Sequence, residues 1–386
     1  MDKLDFSFEA DPTTVGMSPA GVDRIVSIFE QHFAEGLNIG AQLVVARHGR
    51  VVVDRAIGLR RLGTTETVQN TTPFLLFSCT KSLTSMCVHK LAEEGKVDLD
   101  APIADYWPEY GTKGKETGTV AHALLHQTGI PGRGLYPQIP RWWYWDWVTS
   151  SVADLEVEHE PGSKTAYHLV NNGFILGEIV RRVTNVMIDE YMQREFLDPL
   201  GMADSYLGIP TDQLARASEV YWSAADQRAP ALLFRYARQA VIPAATLNAP
   251  ARDLARFYQM MINGGEYNGR PILKKETIDY ATKIHYTGLD ETLGEPDRWG
   301  MGFGIGGPQL EDQRIYGNTY GRYSTHNTFG HGGQRSSIGW GDKSENLVIA
   351  FTTNNMIDDV GSTKRQQDIG DAVWEALTDH QNPRLG

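Results

Sequence analysis

Two β-rich runs near opposite ends of the chain constrain its fold more than any other feature. The run "AQLVVARHGRVVVDRAIG", residues 41–58, places two stretches of branched apolar residues around His48-Gly49, a hairpin signal with a glycine turn. The second run, "RSSIGWGDKSENLVIAFTTNN" at 335–355, repeats the pattern with its turn near Asp342 to Glu345. Between them the text is helical, in segments such as "SLTSMCVHKLAEEG", "NNGFILGEIVRRVTN" and "ARDLARFYQMMINGG" that end in Gly or Asn. Helical periodicity also flanks the ends. "SPAGVDRIVSIFEQHF" offers Ser18 as N-cap and Pro19 at the first helical position, and "KRQQDIGDAVWEAL" closes the chain. The expected fold is therefore α+β: an antiparallel sheet built from both chain ends, flanked by helices, with a mostly helical middle. Residues 1–75 and 265–386 form the α/β lobe of this reading and 76–264 the helical lobe, together one composite catalytic unit. No repeat or low-complexity tract marks off a separate module.

A formal net charge of −12 argues against nucleic-acid or anionic-membrane surfaces, which need clustered Lys and Arg. The densest basic cluster, "RHGR" at 47–50, falls in the first hairpin turn. No window offers the roughly 18 apolar residues a membrane span requires, and the N-terminal residues lack a basic segment followed by an apolar one. A cytoplasmic protein is expected. Its two cysteines, Cys79 and Cys87, are eight positions apart on one predicted helix, about 12 Å at 1.5 Å per residue, too far to bridge.

The chemistry concentrates in "LLFSCTKSLTS". Ser78 and Lys81 are three residues apart, on one face of the predicted helix, and S-x-x-K occurs nowhere else in the chain. The apolar run Phe74–Phe77 entering this segment would desolvate the lysine and favour a neutral amine able to take the hydroxyl proton. Two polar residues that merely share a helix face are the plainer alternative.

Several separated blocks, read together, resemble the serine β-lactamase and penicillin-binding-protein superfamily, in particular its class C-like branch with the family VIII carboxylesterases. They are "FSCTKSLTS", "GKVDLDAPIADYWPEY" with "TVAHALLHQTGIPG", "EPGSKTAYHLVNNGFILGEIVRRVT" and "FGHGGQRSSIGWGDKSENLVIAFTTN", in the family's order over nearly the whole chain. The resemblance implies a β-lactamase-like sandwich, with Ser78 as acylated nucleophile and Lys81 as its base. Tyr167, five residues after Pro161-Gly162, would relay protons through a phenolate stabilised by Lys81. His331 would support it from the His331-Gly332-Gly333 edge strand, whose glycines admit substrate backbone. The backbone N–H groups of Ser78 and Gln334 would hold the oxyanion. The implied activity is hydrolysis of small carboxylic esters through an acyl-enzyme, with β-lactamase, D-amino-acid peptidase or amidase, and acyltransferase activity as alternatives; the substrate is a small-molecule ester or amide, with no cofactor and no metal.

One position departs from the family pattern. Where relatives with β-lactam or peptide activity have Tyr-x-Asn, here Tyr167 is followed by His168 and Leu169, which favours esters; Asn171 or Asn172 could stand in. In "YPQIPRWWYWDWV", read as a loop plus a short helix, Trp142, Trp143, Trp145 and Trp147 either form an apolar wall for substrate or pack one lobe on the other. His122 and His126 have the i, i+4 spacing of a zinc motif, but Ala123 replaces its glutamate. No G-x-S-x-G elbow occurs. A catalytically silent binding protein on the same fold is the reading of a different class.

Overall fold

A computed structural model describes residues 3–133, 135, 141–224 and 227–378 of the chain. Six helices organise it: α1 (Pro19–Ala34), α2 (Thr80–Glu93), α3 (Trp145–Asp154), α4 (Asn171–Thr184), α5 (Ala251–Ile262) and α6 (Asp359–Glu375). Eight strands form the principal sheet: β1 (Gly40–Arg47), β2 (Arg50–Gly58), β3 (Tyr286–Asp290), β4 (Glu295–Gly300), β5 (Phe303–Ile305), β6 (Thr328–Gly332), β7 (Ile338–Asp342) and β8 (Leu347–Thr353). Their order across the sheet is β3-β4-β5-β6-β7-β8-β1-β2, with every neighbouring pair antiparallel. The two sequence hairpins thus become adjacent. Strand β1 pairs with β8 in the register Leu43↔Phe351 and Val44↔Ala350.

Local chemistry accounts for the ends of these elements. The Ser18 side chain accepts the Gly21 N–H at 3.0 Å, capping α1 with Pro19 in its first turn. His48 and Gly49, at φ 50° and 75°, make the two-residue turn between β1 and β2, the positive-φ geometry that matches strand twist.

Strands β1 and β8 are buried along their whole length, because the sheet is covered on both faces. Leu43, Val45, Ile349 and Phe351 meet Ile25 and Phe29 of α1 and Val373 and Trp374 of α6. The alternate residues Val44, Ala46, Val348 and Ala350 join Leu254, Phe257 and Tyr258 of α5 in the larger core. Each fully buried Leu, Ile or Phe here contributes about 1.5–3 kcal/mol relative to exposure.

The middle of the chain is tied back onto this sheet. Helix α5 packs against β1, β7 and β8. Phe74–Leu75, just before the S-x-x-K segment, pairs with Leu247–Ala249, which pairs in turn with Tyr206–Leu207. These short pairings fix where α2 starts relative to β6. Among the described residues no helix is long and apolar enough to cross a membrane.

Candidate active site

The approach to Ser78 is a strained turn. Phe77 has φ 49°, a left-handed conformation that costs a bulky residue about 1–3 kcal/mol and persists only where packing enforces it. Its ring is held edge-on against Phe234 at 5.0 Å. Ser78 itself lies in the 3₁₀ turn Phe77–Cys79, two residues ahead of Thr80 at the start of α2, instead of inside the helix's first turn as its spacing suggests. Lys81 is in that first turn, 1% exposed. Nothing in the sequence signals the Phe77 conformation, since phenylalanine disfavours it.

Lys81 Nζ is 3.1 Å from Ser78 Oγ, 2.9 Å from the Leu169 carbonyl and 3.2 Å from the Ala244 carbonyl. Burial pulls its pKa down to about 7. In the neutral amine two N–H bonds go to the carbonyls and the lone pair is left for the serine hydroxyl, so the geometry that orients the amine also makes it a base. The departure at position 169 also finds its place here. The Leu169 backbone carbonyl binds the lysine, and its side chain lines the cavity beside Ser78.

Tyr167 is buried with its ring 4.8 Å from Lys81 Nζ, stacked on Trp299 at 5.6 Å, and its N–H donates to Asp290 at 3.0 Å. Burial raises its pKa above the ordinary phenol value, against a smaller lowering from a hydrogen bond with Ser78. Burial thus works against the charged form of both groups, lowering the lysine and raising the phenol. His331 sits on β6 with its ring 6.1 Å from that of Tyr167. Its Nδ1 is 2.8 Å from the Gly332 carbonyl, which assigns the proton to Nδ1, while Nε2 has no partner among the described residues. Burial holds the imidazole neutral, with a pKa of about 3.

Strand β6 is an interior strand of the sheet, paired with β5 and β7, not the edge strand expected from sequence, and its Gly332 differs from Gly333, which follows it. A Cβ on Gly333 would meet the Leu76 carbonyl at 2.3 Å, so this glycine lets β6 close against the strained turn. Gly332 has nothing within 4 Å of that position and faces open space. The Gln334 N–H makes no hydrogen bond among the described residues, and Gln334 lines the same cavity as Ser78.

That cavity, of about 470 Å³, brings together Ser78, Tyr167, His331, Gly332, Gly333, Gln334 and Trp142. It does not include Trp143, Trp145 or Asn172. Trp143 is exposed; Trp145, at the start of α3, donates from Nε1 to Glu178 on α4 at 2.8 Å and meets Phe174 edge to face, so it packs helices together. Asn172 is buried within α4, and the neighbouring Asn171 donates to the Pro131 carbonyl. Residues 136–140 of the tryptophan-rich segment lie outside the described residues. The paired histidines do not share a helix face, because the short helix Val120–Leu124 ends before His126, which has φ 59°. His126 instead packs its ring tilted against that of Tyr167 at 4.6 Å and accepts the His168 N–H. In the wall contributed by 292–320, Trp299 is a weaker apolar candidate that sequence reading offers, and Asp297, Tyr316 and Tyr320 are residues it missed. Burial pushes the Asp297 carboxyl up to about 7.

Comparison with known proteins follows the same lines. Residues 27–372 match the model of the Beta-lactamase family. The chain is 29% identical over 367 residues to "Esterase/beta-lactamase LipL" of Mycobacterium tuberculosis, covering 86% of this chain and 80% of that protein. A family VIII carboxylesterase of known structure superposes with a TM-score of 0.81 at 27% identity, covering 94% of this chain and 98% of the other. A penicillin-binding-protein homologue from Caulobacter crescentus gives 0.79 at 28%, covering 94% and 99%.

Proposed function

The chain belongs to the beta-lactamase family and is a serine hydrolase, and from that premise we propose that it cleaves small carboxylic esters through an acyl-enzyme on Ser78. The observation that carries this reading is the 3.1 Å approach of a buried lysine, with a pKa of about 7, to Ser78 Oγ. Neutral Lys81 takes the hydroxyl proton as Oγ bonds to the ester carbonyl carbon. The carbonyl oxygen becomes an oxyanion facing the N–H groups of Ser78 and Gln334, an arrangement in which each donor is worth about 3–4 kcal/mol of barrier. Collapse breaks the C–O bond to the alcohol, which leaves with a proton passed from Lys81 through the Tyr167 hydroxyl. Water then adds to the acyl-enzyme by the reverse proton route, releasing the acid and restoring Ser78.

Esters are favoured over β-lactams and peptides by position 169, whose leucine offers no side-chain amide partner to a substrate amide. The family VIII carboxylesterase supports ester cleavage, whereas the name of the esterase/β-lactamase covers both substrate classes. The test is intact-protein mass spectrometry after brief exposure, in parallel, to p-nitrophenyl butyrate and a cephalosporin, with turnover read alongside. A butyryl adduct on Ser78 with p-nitrophenol release and no ring opening is expected. Rapid ring opening would reassign the enzyme to β-lactams. No adduct and no turnover would leave a binding protein.

A further inference from the structure

The walls of the catalytic cavity divide by chain segment, and the division bears on the substrate. The middle of the chain supplies an apolar wall, in which Leu75, Phe77, Leu169, Val170, Phe234 and Ile242 take part. The sheet and α6 supply a polar one: Asp297, Gln313, Tyr316, Tyr320, Ser362 and Gln366 all line it. Ser78 belongs to the turn between these two parts of the fold, with β6 on one side of it and Phe234 reaching its neighbour Phe77 on the other.

The polar wall is rich in donors and acceptors yet nearly balanced in charge. Arg335 makes a bidentate pair with Asp359, at 2.6 Å for each bond. Asp297 has Arg298 as its sequence neighbour, and each feels the other's charge. Arg133, the remaining charged lining residue, is exposed. A wall of this kind does not select an ion. It matches a neutral group carrying several hydroxyls, each of which can donate to a carboxylate or amide oxygen and accept from a phenol or amide N–H.

Its scaffold is also fixed in place. Glu295 accepts the N–H groups of Arg314, Ile315 and Tyr316 at 2.9, 2.9 and 2.6 Å, holding the segment that presents Tyr316. The Tyr316 hydroxyl makes no hydrogen bond among the described residues, and Asp297 Oδ1 accepts only its neighbour's N–H. Both keep capacity for a ligand.

We propose that the alcohol part of the substrate is a polyol, so that the enzyme acts on esters joining an apolar acyl group to a glycerol- or sugar-like alcohol, with the acyl group on the wall formed by Phe77, Phe234 and Ile242. This rests on the ester reading above and specifies it. Asp297 and Tyr316 are the residues that recognise the hydroxyls.

The test compares kcat/KM for three butyrate esters, ethyl, 1-glyceryl and p-nitrophenyl, in the full-length protein and in the Asp297→Asn and Tyr316→Phe variants. Because kcat/KM reports the acylation step, the glyceryl-to-ethyl ratio isolates recognition of the alcohol from changes common to both. The expected ratio is about 10 or more in the parent, falling several-fold in each variant, as for the loss of a hydrogen bond to a bound hydroxyl. Acylation of Ser78 with a ratio near 1, or a high ratio that survives both substitutions, overturns the polyol inference alone. Failure of all three esters to acylate Ser78 overturns the ester reading and this inference with it.

Discussion

The α2 flank of Ser78 and its β6 flank use their polar atoms in opposite ways. On the α2 side the Lys81 amine has three oxygen neighbours at 2.9 to 3.2 Å and is almost wholly buried. On the β6 side His331 Nε2 and the Gln334 N–H have no partner among the described residues, and Gly332 borders empty space. Activation of a nucleophile demands one geometry at every turnover, so that side is over-determined. The side that meets substrate keeps its hydrogen-bonding capacity and its room unspent.

The strongest way to break this comparison is at Lys81. Lys81→Met keeps the side chain's bulk without the base, and kcat/KM for p-nitrophenyl butyrate is expected to fall by about 10³-fold or more. The same variant exposes the cost of burying an amine. The folded pKa of about 7 lies below the unfolded value near 10.5, so between these pH values the unfolded chain binds a proton that the native one does not. This contribution to stability is at its least below pH 7 and rises with pH up to about 10.5. The difference in Tm between parent and Lys81→Met should therefore shift in the parent's favour from pH 7 to pH 10. A difference that stays flat with pH would show that the lysine is charged in the native state. Activity should rise with pH through about 7 as the amine loses its proton.

Next in size is the contrast between adjacent glycines. Gly333→Ala drives a methyl into the Leu76 carbonyl at 2.3 Å, forcing β6 away from the Phe77 turn. A loss of about 1–3 kcal/mol in stability is expected, together with lost activity, because the strained turn carries Ser78. Gly332→Ala meets nothing within 4 Å, so Tm should hold while KM rises. If both variants lower Tm equally, the assignment of one glycine to packing and the other to substrate space is wrong.

These contrasts also mark what the sequence could and could not disclose. The hairpins at 41–58 and 335–355 and the cap at Ser18 were legible because each depends on neighbouring residues and on periods of two or 3.6. Ser78 and Lys81 were legible for the same reason, being one short motif. The Phe77 kink was not, since long-range contacts with Phe234 and with Gly333 after β6 impose it against local preference. Nor was the polar wall, whose members in 297–320 and on α6 are joined only by the folding of the sheet. The change at position 169 could be seen in the sequence, but the bond from Lys81 to the Leu169 carbonyl could not, because it is made by the backbone.

The smallest effect separates two tryptophans that composition treats alike. Trp142 is 5% exposed, lines the cavity and donates from Nε1 to the Leu135 carbonyl. Trp145 turns away, donating to Glu178, which also binds Arg181 and Arg182. In Trp145→Phe the ring contact with Phe174 survives and Glu178 keeps both arginines, so about 1 kcal/mol of stability is lost with kcat/KM unchanged. Trp142→Phe removes part of the cavity wall together with the bond that positions it, and KM for p-nitrophenyl butyrate should rise by a few-fold with a similar change in Tm. Equal changes in Tm thus accompany unequal changes in KM, since Trp142 lines the cavity and Trp145 packs α3 on α4. If Trp145→Phe raises KM as much as Trp142→Phe does, the tryptophans act as one unit at the cavity.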